Sequence, residues 1–331
     1  MMERVQRQRP VIGALIDGWC AFWFTPQLAY TFGLVRMTFG VVAVGWTLAL
    51  LPDLFQVFGE QGVAPQYPLL GYQWSVFEVW SSDRALLIGW ALLLLSALAL
   101  ALGWHSRLAA VLVFVLIQSF HQRGDYVFNA GDAILTIVAL ILALSSCGAA
   151  LSLDQHRRSG SFWSAETRAP WPIRLMQVQL TLIYLVTVQA KLAGRSWVDG
   201  SAVFFAWRTD GRWATLTTPE WLASNAILIN VLTWGTLLIE LAIAIFVWNR
   251  RWRFWALGTG VVMHLTMMLN LNVAFFSLAM FVLYFAFVPW EAVEQLPAKL
   301  RSMWSRRPHS SPSLGPDRPV NDSVAEPIQG S

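Results

Sequence analysis

The stretch Arg84-Ala-Leu-Leu-Ile-Gly-Trp90-Ala-Leu-Leu-Leu-Leu-Ser-Ala-Leu-Ala-Leu-Ala-Leu-Gly103 carries no charge after its first residue. An uninterrupted apolar run of roughly 17–25 residues is what a helix needs to cross a bilayer's hydrocarbon core. Working outward, similar runs recur from end to end, near 27–51, 106–123, 129–148, 171–193, 224–248, 254–270 and 272–289. With 84–103 they make about eight expected spans. The last two are separated by Asn270-Leu271-Asn272 alone, which reads as a tight hairpin. Of the 331 residues, 56% are hydrophobic and 13% charged, where a soluble domain carries about a quarter charged residues. The expected fold is an all-α, polytopic integral membrane helix bundle in the lipid bilayer.

Arginines set the expected orientation. Arg4, Arg7 and Arg9 precede the first span, Arg107 follows the second, Arg157, Arg158, Arg168 and Arg174 follow the fourth, Arg250, Arg251 and Arg253 follow the sixth, and Arg301, Arg306 and Arg307 follow the last. Between Pro52 and Asp83 there are acids (Asp53, Glu60, Glu78) and no lysine or arginine. Every second connection is basic, so the positive-inside rule predicts both termini in the cytoplasm and a multi-pass protein of the plasma (inner) membrane. The net charge of +4 thus reports topology; no basic face with a nucleic-acid motif is present.

Three segments follow. Residues 1–26 form a basic, then amphipathic segment, with Ile12, Leu15, Ile16, Trp19, Phe22 and Trp23 on one helical stripe ended by Pro26, as in an interfacial helix. Residues 27–290 form the membrane domain. Residues 291–331, rich in Pro, Ser and Arg from about Pro297, are expected to be a disordered cytoplasmic tail. Cys20 and Cys147 both map to the cytoplasmic side, where a structural disulfide is not expected. No zinc-ligand spacing and no phosphate loop is present.

Charges inside spans mark candidate sites, because an unpaired one costs roughly 2.5–3.5 kcal/mol at the helix centre on insertion scales. Lys191 stands near the end of the fifth span, in Tyr184-Leu-Val-Thr-Val-Gln-Ala-Lys191-Leu-Ala-Gly-Arg-Ser-Trp197-Val-Asp-Gly200. Snorkelling to the interface is the bland alternative. Gln177, Thr181, Tyr184, Thr187 and Lys191 share one face of that span. His121, Arg123 and Asp125 after the third span, Asn129 and Asp132 opening the fourth, and His264 in the seventh map to the same outer side. Asp132 as a helix cap and His264 as an interhelical hydrogen bond are the bland readings. Trp197, Trp207, Trp213 and Trp221 fill an apolar outer connection, either as interface anchors or as a lid over Lys191. Arg36 and Glu240 lie at similar depth in the first and sixth spans and are expected to form a structural ion pair.

Several of these elements resemble the horizontally transferred transmembrane domain family, which includes the membrane domain of vitamin K-dependent gamma-glutamyl carboxylase. The resemblance covers about residues 25–290. It rests on Leu34-Val-Arg36-Met-Thr-Phe-Gly40, on Asn129-Ala-Gly-Asp132, and on Lys191 followed by Trp197-Val-Asp-Gly200. His264 with the run Phe275-Phe276-Ser-Leu-Ala-Met280 completes it. It implies that Lys191 is a base acting on a reduced, vitamin K-like quinone as co-substrate. His264 and Asp132 join it as catalytic candidates, and Tyr184, Thr187, Trp197, Asn129 and His121 are candidates to bind substrate. Two departures stand out. Asp132 occupies the place of a functional histidine in the carboxylase, and only a short segment follows Trp290, which speaks against protein carboxylation. The alternative on the same fold is a non-enzymatic lipid- or peptide-binding partner or toxin-protection component. No soluble partner can be named.

Overall fold

The computed structural model describes residues 11–63, 73–124, 127–208, 219–271 and 273–299. Arg4, Arg7, Arg9, Asp125, Trp213, Asn272 and the tail from residue 300 lie outside them.

A long helix fills each of the eight expected positions: α1 (Tyr30–Leu50), α2 (Asp83–Leu102), α3 (Ser106–Arg123), α4 (Ala130–Ala143), α5 (Trp171–Leu192), α6 (Ala226–Phe246), α7 (Arg253–Leu271) and α8 (Ala274–Phe285). Among the described residues, five of these, α1, α2, α5, α6 and α7, are long and apolar enough to cross a membrane. The polar end of α3, Gln118-Ser119-Phe120-His121-Gln122-Arg123, lowers its hydropathy. α4 and α8 have 14 and 12 residues, about 21 and 18 Å of helix.

Local chemistry fixes the ends. The Ser82 hydroxyl accepts the Ala85 N–H to start α2, and Gly103, at φ 72°, stops it in the left-handed conformation that glycine adopts without strain. Asp154 starts α3, accepting the N–H groups of His105 at 2.9 Å and Ser106 at 2.7 Å and the Ser106 hydroxyl at 2.6 Å. Burial opposes ionisation of Asp154, but these donors prevail and hold its carboxyl below the usual range. Asn225 caps α6 through the Leu228 N–H at 3.0 Å. The exterior is what lipid requires: Ile88, Leu95, Leu108, Val186, Leu238 and Val262 are all more than half exposed.

Sequential helices pack as neighbours, α1 on α2, α2 on α3, α3 on α4, α5 on α6 and α6 on α7. α8 lies between the two groups, against α1 and α4 on one side and α5 and α7 on the other. Its Ala279, Met280, Val282 and Leu283 are essentially inaccessible. The approach to α4 is close enough to exclude a side chain: a Cβ on Gly131 would lie 2.5 Å from the Phe276 Cα. Gly131→Ala is therefore expected to destabilise by about 1–3 kcal/mol, measured by detergent unfolding. An unchanged midpoint would mean that α4 and α8 separate freely.

The amphipathic segment is a helix over Val11–Phe24. Ile12, Leu15, Ile16 and Trp19 on its stripe are exposed, while Phe22 turns inward beneath the Arg174 guanidinium, 4.7 Å from ring centroid to Cζ. A two-residue antiparallel ladder, Gln27 opposite Arg168 and Leu28 opposite Thr167, ties the chain after this helix to the connection between α4 and α5.

One expected contact is corrected. Arg36 does not pair with Glu240. Its guanidinium is fully buried and donates to the carbonyls of Leu100 at 2.6 Å, Ala101 at 3.2 Å and Leu151. Leu100 and Ala101 are in the last turn of α2, which carries its negative dipole end, and the Leu100 carbonyl also accepts the Gly103 N–H at 3.1 Å. Arg36 thus finds its counter-charge in backbone dipoles, and no carboxylate is needed. Glu240 is engaged by Lys191.

Candidate functional site

Lys191 is the last basic residue of α5, one residue before its end. Its side chain is 18% exposed and meets the Glu240 carboxylate of α6, which is 5% exposed. The ammonium also sits over the face of Trp197, 4.6 Å from the ring centroid, an arrangement that stabilises a cation further. Trp197 belongs to the short helix Arg195–Val198, which starts just after Gly194 turns the chain out of α5.

Two turns below, Tyr184 is buried and its hydroxyl lies between two partners, the His264 Nε2 of α7 at 2.9 Å and the Tyr284 hydroxyl of α8. His264 is 1% exposed and is walled by the rings of Phe276, Phe281 and Tyr284 at 5.6–6.0 Å. Room for the Tyr284 hydroxyl comes from Gly260, where a Cβ would collide with it. The Lys191–Glu240 pair and this group share one face of α5, since Lys191 and Tyr184 are seven residues apart. Five polar side chains from four helices therefore converge. Two of their atoms, Glu240 Oε2 and His264 Nδ1, are buried with no hydrogen-bond partner among the described residues. A buried acceptor and a buried imidazole nitrogen left open in this way are where a water or a ligand hydroxyl gains most.

The rest of the α5 stripe continues toward the other end of the bundle. Thr181 accepts the Trp248 indole N–H at 2.9 Å, and the Gln177 amide donates to the Ala286 carbonyl at 2.8 Å. Thr187 is half-buried between Tyr184 and Lys191 in sequence.

Asp132, Asn129 and His121 belong to a second group. The Asn129 side chain accepts the Gly131 N–H at 2.7 Å, and Asp132 Oδ2 accepts the Asn129 N–H at 2.7 Å, a reciprocal capping box. Asp132 Oδ1 takes the Trp46 indole N–H at 2.6 Å. His121 stands edge-on to Phe128, 5.5 Å away, and Phe128 stacks on Trp46. The cluster expected at one depth is therefore two clusters with Phe276 between them, its backbone against Gly131 and its ring against His264. Tyr284 escaped the sequence reading. Its one signal was a hydroxyl in the otherwise apolar run Phe281-Val-Leu-Tyr284-Phe285.

Comparison with known proteins places the chain. It is similar to the protein YitO of Bacillus subtilis (strain 168), itself described as uncharacterized, with 25% identity over 304 residues covering 83% of this chain and 91% of YitO. No solved structure matches it. The HTTM domain model matches residues 24–291, from the end of the N-terminal helix through the whole of α1–α8. That span includes every residue of both polar clusters, and the chain belongs to the HTTM domain family of integral membrane proteins.

Proposed function

We infer that the chain is an eight-span, multi-pass protein of the plasma (inner) membrane with both termini cytoplasmic. On this reading Lys191 acts as a base on a lipophilic, quinol-like substrate near the outer face. The observation that carries the reading is the convergence of Lys191, Glu240, Tyr184, Tyr284 and His264, with Glu240 Oε2 and His264 Nδ1 open. Lysine is a usable base once its ammonium proton has a local acceptor, and a desolvated site favours the neutral amine. Glu240 supplies that acceptor. The ammonium proton passes to its carboxylate, the amine takes the substrate's hydroxyl proton, and the new ammonium holds the substrate oxyanion. Tyr184 and His264 orient the substrate from below, and the bilayer delivers it laterally.

The test is turnover in liposomes with a reduced naphthoquinone and air, with the epoxide read by mass spectrometry. Wild type is expected to form epoxide and Lys191→Ala to form none, as is Lys191→Arg, which keeps the charge and cannot act as a base.

A second reading has its own observation. Lys191 is held by Glu240 and Trp197, as it would be in a non-enzymatic lipid- or peptide-binding protein where the pair shapes the pocket. Absence of epoxide from a well-folded wild type, with Lys191→Arg tolerated in binding, selects that reading.

A further inference from the structure

Arginine is concentrated at the end of the bundle opposite Lys191. Arg174 precedes Lys191 on α5 by about 26 Å of helix. There Arg174, Arg250 and Arg253 line one cavity of about 200 Å³, together with Gln27, Gln177 and Glu291. If these arginines served only to mark the cytoplasmic side, they would splay apart, each into its own water. They do the reverse: all three line one cavity.

Two of the three are fixed in place. Arg174 donates from Nε to the Phe22 carbonyl at 3.3 Å and from Nη1 to Gln177 Oε1 at 2.9 Å, with its plane supported by the Phe22 ring. Arg253 donates from Nε to the Val247 carbonyl at 2.9 Å and from Nη1 to the Phe287 carbonyl at 3.3 Å. These bonds leave the Nη2 groups of Arg174 and Arg253 and the whole Arg250 guanidinium without a hydrogen-bond partner among the described residues. None of the three forms a salt bridge there. Like charges held together, preorganised by backbone carbonyls and lacking a carboxylate, have the form of an anion site. Three arginines against Glu291 leave a local balance of +2, which matches the charge of about −1.5 to −2 on a phosphate monoester. Three forks arriving from α5, the turn after α6 and the start of α7 suit a tetrahedral oxyanion better than a planar carboxylate. The tryptophans Trp248 and Trp290 beside this end place it where head groups lie.

We propose that Arg174, Arg250 and Arg253 form a binding site for a phosphate monoester group, presented by a phospholipid head group or by a free phosphate.

The full chain in phosphatidylcholine nanodiscs doped with phosphatidic acid tests this by native mass spectrometry, with inorganic phosphate added in a parallel series. Wild type is expected to retain phosphatidic acid over phosphatidylcholine. Arg250→Gln, at an exposed residue that makes no hydrogen bond, is expected to lose about tenfold of that preference. Glu291→Gln is expected to strengthen retention, and Arg107→Gln, at a separate basic pocket, to leave it unchanged. Displacement of the lipid by inorganic phosphate identifies a free phosphate as a competent ligand; retention in its presence identifies the head group. Equal retention by wild type, Arg250→Gln and Glu291→Gln in both series overturns the site.

Discussion

Lys191→Met is expected to destabilise the protein by about 3–5 kcal/mol, the cost of leaving a buried charge without its partner. Glu240 is the charge left behind, and it is only 5% exposed. Glu240→Leu is expected to cost less, about 1–2 kcal/mol, because Lys191 is partly exposed, keeps the Trp197 face and can snorkel. The double replacement Lys191→Met with Glu240→Leu is expected to recover most of the loss, since apolar side chains of similar volume often substitute for a buried pair at little cost. Detergent unfolding of the four proteins measures the coupling directly. If Lys191 is the proposed base, turnover measured on the same four separates chemistry from folding, with the double variant stable and inactive. If the two single losses simply add in the double variant, the pair has no energetic coupling and the site loses its organising contact.

The second large effect is expected at Arg36. Arg36→Met removes the side-chain donor from the buried carbonyls of Leu100 and Leu151 and from the half-buried carbonyl of Ala101, of which Leu100 keeps the Gly103 N–H at 3.1 Å. A buried group left unpaired costs about 1–3 kcal/mol, so a loss of about 2–3 kcal/mol is expected. Arg36→Lys should recover only part of it, because a single ammonium cannot span acceptors at the end of α2 and in the connection between α4 and α5 as a planar fork does. The companion measurement is the cycle of Arg36→Met with Glu240→Leu. The two losses should add within about 0.5 kcal/mol, as for independent sites. A larger coupling would restore the ion pair that the hydrogen bonding excludes.

These two residues also show where sequence reading reaches its limit. The apolar runs located the eight long helices, five of them long and apolar enough to cross a membrane, because an apolar exterior is a local signal. The stripe of Gln177, Thr181 and Tyr184 was likewise legible, since helical spacing alone places the three on one face. The partners were not. Arg36 is answered by backbone carbonyls some 64 and 115 residues away, and a carbonyl leaves no mark in a sequence. Glu240 was paired by depth counted from the nominal ends of its span, but α5 and α6 are staggered. Thr181 meets Trp248 and Lys191 meets Glu240, so depth along one helix does not transfer to its neighbour. Asp132 and Asn129 read equally well as cap and as site from their positions alone. The indole of Trp46, on a helix remote in sequence, makes them part of a capping box with one more donor.

The position of α8 has a consequence for how the molecule is made. It is the helix against which both helix groups close, and of the eight it leaves the ribosome last. Until it arrives, α1–α4 and α5–α7 can insert and pair locally, yet the faces that will hold Gly131 against Phe276 and Tyr184 against Tyr284 remain open to lipid. The polar cluster around Lys191 is therefore completed only at the final step of biogenesis, when Tyr284 enters.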